Sequence, residues 1–210
     1  GGLMTTSPSV TVRDPYLDRE FQEPSHDKAR ALGYQLASRL LPVLRAPDAA
    51  AARHAPISIR ARTVELPIEN GVFLLAPVLG ILDRGHVRWK TLRTEIALIT
   101  VGDASIACLP GEVYPEIVNG GIERAPGGDF DVEPVEVPPL RALMPGKVKF
   151  VFGLANDEIG YIIPKSQWDT EKPYVYEKSQ YGEQNSGGPD VAPAVHAGMI
   201  EMIRRINATY

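Results

Sequence analysis

"TEIALITVGDASIACLPGE", residues 94–112, is the stretch on which the fold turns. Two runs rich in Ile, Val, Thr and Ala flank Gly102-Asp103, the pattern of two β-strands joined by a tight hairpin. The second run stops at Leu109, turns through Pro110-Gly111 and delivers a glutamate, Glu112, directly beyond a strand end. A carboxylate at that place can interact with the dipole of a following helix, act as a general base, or bind a hard or borderline cation. A short helix to Asn119 is expected next, with Pro115 confined to its first turn.

Working outward, Ile57, Ile59 and Ala61 alternate with polar residues, and Val64, Leu66 and Ile68 alternate one step out of phase. A strand with a bulge near Thr63 accounts for the slip. Residues 1–24 read as an extended lead-in. Ser25 reads as the N-cap of an amphipathic helix whose apolar stripe is Ala29, Leu32, Leu36, Leu40 and Val43, closing near Pro47. "DAAAAR" at 48–53 reads as linker or helix fray, and the apolar 73–89 stretch, broken by Pro77 and Gly80, is left open between helix and strand. Residues 125–146 are rich in proline and glycine and form a long loop. "KVKFVFGLAND", 147–157, is a further strand ending in a polar turn, and 156–190 is irregular, with Tyr161, Trp168, Tyr174, Tyr176 and Tyr181 threaded through it. Val191, Val195, Met199, Met202 and Ile206 mark one face of a closing helix. The expected architecture is α/β, a mixed sheet with flanking helices, in one domain spanning 1–210. In such sheets ligands gather beyond the carboxyl ends of strands, which points to Glu112 and to the 156–161 turn.

The totals exclude some classes. With 44% hydrophobic and 23% charged residues and a net charge of −4, the composition is that of a globular protein, and no basic stripe marks a nucleic-acid partner. The single cysteine, Cys108, permits no intrachain disulfide and lies in an apolar run. No window resembles a transmembrane span. His26, His54, His86 and His196 form no HxH, HxxxH or HExxH pair, so the chain holds no self-contained zinc motif. No G-x-S-x-G elbow is present. The tyrosines between 161 and 181 could wall an apolar ligand or simply pin the loop with buried rings.

"LPGE" at 109–112, "GLANDEIGYI" at 153–162 and "YEKSQYG" at 176–182, in that order, resemble the catalytic domain of neutral ceramidases. The opening "GGLMTT" is similar to an internal stretch of such proteins, so the chain is expected to be the C-terminal half of that domain. The resemblance implies a zinc-dependent amidohydrolase acting on a lipid amide such as ceramide, with Glu112 and Tyr161 as metal ligands. It also implies a role for Tyr176 toward the oxyanion or in positioning substrate, and Asn156 and Tyr174 as substrate-binding residues. The family's two histidine ligands and its G-D-x-S-P loop have no counterpart in the sequence, so the expected partner is an N-terminal half of the same domain, and zinc belongs to the completed site. Glu158 stands where the family has a tyrosine, the 125–146 loop lengthens the interval between the two ligands, and the family's immunoglobulin-like domain has no counterpart. Secretion or a periplasmic address goes with the resemblance. The competing expectation is a non-catalytic binding domain that kept the fold, and a third is a hydrolase with another nucleophile.

Overall fold

The computed structural model describes residues 10–46, 54–81, 86–176 and 180–208. The opening at 1–9, the 48–53 run and Glu177 of the tyrosine-glutamate pair lie outside them. The described residues fall into two compact units, one running to His54 and one starting at Ala55.

In the first unit β1 (Val12–Arg13) pairs antiparallel with β2 (Glu20–Phe21), where an extended lead-in is expected from sequence. Asp14 explains the hairpin: its carboxylate accepts the N–H groups of Tyr16 at 2.8 Å and Leu17 at 2.9 Å, an Asx turn. Helix α1 (His26–Leu44) starts as read, with Ser25 Oγ accepting the Lys28 N–H at 3.1 Å. The expected apolar stripe is not its buried face. Val12, Phe21 and Ala31 make the small core, while Leu36, Leu40 and Val43 are exposed.

The second unit contains β3 (Ile57–Pro67), α2 (Gly71–Val78), β4 (His86–Arg88), β5 (Thr91–Val101), β6 (Ala104–Cys108), β7 (Glu112–Val113), α3 (Pro115–Asn119), α4 (Leu140–Leu143), β8 (Val148–Phe152), β9 (Tyr161–Ile162), α5 (Tyr181–Gln184) and α6 (Val191–Asn207). The main sheet runs β3-β5-β6-β8, with β4 also on β5. β3/β5 and β5/β6 are antiparallel and β6/β8 is parallel, so the sheet is mixed and helices flank it. The hairpin at Gly102 forms as read, with φ +55° at the glycine.

No bulge interrupts β3. All of Ile57–Pro67 pairs with Val101–Thr91 in unbroken register. The apolar residues change face because the covering changes. Val64 and Leu66 point to α6, whereas Ile57 and Ile59, on the other side of the sheet, are 68% and 64% exposed. The covered face is well packed: Leu66, Ile96, Leu98 and Ala107 meet Val195, Met199 and Ile203 in one core cluster. Each large side chain so buried contributes about 1.5–3 kcal/mol. Gly198 permits the approach, since a Cβ there would lie 3.1 Å from Ile96 Cδ1 and 3.2 Å from Val64 Cγ2.

The opposite face leaves several apolar side chains exposed. Strand register puts Ile57 and Ile59 on the same side as Val101, Val148, Phe150 and Phe152, and all six are exposed. No described helix is long and apolar enough to cross a membrane.

Candidate functional site

The parallel pair β6/β8 continues, past a short turn on each strand, into a second parallel pair, β7/β9. The backbone ladder bridges the two: Leu109 donates to the Phe152 carbonyl at 2.8 Å, and Glu112 to that of Gly160 at 3.0 Å. Glycines make the junction possible. A Cβ on Gly111 would lie 2.3 Å from the Gly160 carbonyl oxygen, and one on Gly160, at φ +80°, would lie 1.8 Å from that of Asn185. Each glycine immediately precedes a residue of interest. With no side chain between them, the two backbones close in and set Glu112 directly opposite Tyr161.

In-register partners in a sheet share a face, which sets the Tyr161 phenol beside the Glu112 carboxylate. Pairing with that carboxylate first, then burial, push the phenol up to about 12. Tyr161 therefore keeps its proton through the physiological range. The Tyr181 ring stands edge-on to it, centroids 5.8 Å apart. Glu158, one turn earlier, accepts the Gly160 N–H at 2.7 Å. Its carboxyl is held above the ordinary range by its partly covered position and then by the Glu112 charge.

Next to this pair lies a cavity of about 280 Å³ lined by Tyr114, Gln167, Asp169, Tyr176, Gln180, Gly182 and Glu183. Gly182 joins the two places, since a Cβ on it would meet the Tyr114 hydroxyl at 3.0 Å and the Tyr161 ring at 3.9 Å. Tyr114 is pushed up to about 12, by burial first and then by the charges of Glu183 and Glu116.

The structure thus brings Glu112 and Tyr161 together and sets Tyr176 on the adjoining cavity. Asn156 and Tyr174 are held elsewhere. Asn156 occupies a left-handed turn position, φ +71°, and its Nδ2 donates to Glu95 Oε1 at 3.2 Å. The Tyr174 ring lies beneath the Lys172 ammonium, 5.8 Å from its centroid. Sequence reading passed over Tyr114, Asp169 and Glu183, which lie far apart in the chain and carry no motif. The glycines before Glu112 and Tyr161 were the available signal for the close approach.

A four-coordinate zinc needs four donors, and Glu112 and Tyr161 offer two. Among the described residues no three His, Cys, Asp or Glu side chains converge as a metal group. His196 is packed inside α6, 4% exposed, with Nε2 3.0 Å from the Pro138 carbonyl oxygen. The residues present do not by themselves fit a zinc centre.

Neither a family model nor a curated protein matches the sequence. Among solved structures the chain is similar to neutral ceramidase from Pseudomonas aeruginosa, with a TM-score of 0.48 and 13% identity over 87% of this chain and 33% of that one. The chain spans about a third of the length of that protein.

Proposed function

We propose that this chain is part of the catalytic domain of a ceramidase-like, zinc-dependent amidohydrolase that cleaves an N-acyl amide, ceramide or a related lipid amide, and that it is catalytically incomplete alone. The observation that carries the reading is the Glu112–Tyr161 pair, two oxygen-bearing side chains set opposite each other as the first residues of β7 and β9, past the carboxyl ends of the parallel β6/β8 pair. Their motifs, "LPGE" and "GLANDEIGY", are those of the resemblance. The missing donors would be imidazoles of an N-terminal half of the same domain, and when bound the metal would supply Lewis acidity at the scissile carbonyl.

This chain's own residues have definable tasks. Glu112 orients the Tyr161 hydroxyl and presents a second oxygen. Tyr176, 40% exposed on the adjoining cavity, would hydrogen-bond the substrate near its carbonyl. Hydrolysis adds water oxygen to the acyl carbon, breaks the C–N bond and leaves a proton on the departing amine.

The second reading, a binding domain without catalysis, is favoured by the donor shortfall. Two measurements on the full-length protein separate them. About one equivalent of zinc, together with loss of at least a hundredfold in amide turnover in Glu112→Gln, is the expected result. Metal-free full-length protein, or unchanged turnover in that variant, would remove the pair from catalysis.

A further inference from the structure

The described walls of the cavity beside Tyr161 carry two acidic side chains, Asp169 and Glu183. Asp169 is 3% exposed, and its carboxylate accepts the N–H groups of Val175 and Tyr176 at 3.1 Å, which fixes a negative group in the wall. Glu183 contributes a second carboxylate. Among the described lining residues there is no Lys or Arg. Burial and then the charges of Asp169 and Asp129 hold the Glu183 carboxyl above its ordinary range, as expected where negative potential is uncompensated.

We propose that this cavity is a binding site for an organic ammonium group, with Glu183 and Asp169 supplying charge and the rings of Tyr114 and Tyr176 supplying cation–π contact. A compact metal ion suits it less, since among the described residues no three carboxylates or other ligand groups converge. The negative groups are instead spread around a wall with aromatic rings between them, which suits a cation of molecular size. The volume, about 280 Å³, is that of a headgroup rather than of a whole lipid. The site stands on its own walls and not on the amide reading, although amide cleavage releases an amine that would be charged in water.

The test titrates the full chain with n-butylammonium chloride at fixed ionic strength, following tyrosine side-chain NMR signals and heat, with n-butanol as the uncharged counterpart and Ca²⁺ as the inorganic one. Saturable binding of the ammonium without binding of the alcohol is expected. Glu183→Gln should weaken it about tenfold, the loss of one charge-assisted contact. Tyr176→Leu, which removes an exposed ring and does not threaten the fold, should weaken it severalfold, while Tyr176→Phe should preserve it. Absence of saturation, equal binding of butanol, indifference to both Glu183→Gln and Tyr176→Leu, or stoichiometric Ca²⁺ binding that excludes the amine would each overturn the proposal. Zinc content and amide turnover play no part in these readouts, so the two readings fail separately.

Discussion

At Gly160 a hydrogen atom stands where any side chain would drive a carbon to within 1.8 Å of the Asn185 carbonyl oxygen. The backbone there is also left-handed, φ +80°, which costs a non-glycine residue roughly 1–3 kcal/mol before any clash. Gly160→Ala should therefore lose at least about 2 kcal/mol in urea unfolding, and it should free the Tyr161 phenol to titrate nearer the ordinary tyrosine range. A phenol still held near 12 in that variant would show that the glycine does not set the pair. Glu136 offers a second test. It is fully buried, its Oε1 accepts the Lys165 N–H at 3.0 Å and its Oε2 has no partner. Burial holds its carboxyl above the ordinary range in the folded state. The folded protein then binds the proton more tightly than the unfolded chain, so this contribution to stability is complete below the unfolded pKa, about 4.3, and is lost as pH rises through the folded value. Glu136→Gln keeps the acceptor and removes the charge. It should raise Tm by about 2–4 °C at pH 8, with the advantage vanishing toward pH 4; an equal gain at both would contradict the buried-charge account.

Among the elements, the 94–112 hairpin and α6 were legible because each is decided by its own residues: a glycine turn between β-branched runs, and a stripe of Val191, Val195, Met199, Met202 and Ile206 that is buried throughout. β3 was read with a bulge because periodicity reports which side is covered, and only Val64 and Leu66 of that strand are buried. α1 was correctly begun at Ser25, and its apolar stripe is exposed, because periodicity marks a stripe without naming the partner that would cover it. Since Met199 is 0% exposed within the α6–sheet interface, Met199→Ala should cost about 2–5 kcal/mol, seen as a lower denaturant midpoint with an unchanged slope. A cost below about 1 kcal/mol would mean that α6 packs loosely on the sheet.

For the sheet-bearing unit as a whole, one fact of scale dominates: a four-strand surface of Ile57, Ile59, Val101, Val148, Phe150 and Phe152 is open. Exposed apolar surface of this kind favours association. The chain alone should self-associate with rising concentration in sedimentation velocity, and Phe150→Glu with Phe152→Glu should reduce that association while far-UV circular dichroism is unchanged. A monomeric parent would argue that the surface is tolerated in water. The site was legible only where short motifs carry it, at Glu112 and Tyr161, whereas the cavity wall of Tyr114, Asp169 and Glu183 is made by distant segments meeting and leaves no local trace. The tandem strand pairs have a consequence for the order of assembly. β6 and β8 run parallel, joining 104–108 to 148–152, so the intervening chain must loop back before they zip, a slow and entropically costly closure. β7 and β9 extend the same zipper, so carboxylate and phenol meet only once that closure is complete. Until then the two groups sit on separate, unpaired segments of the chain.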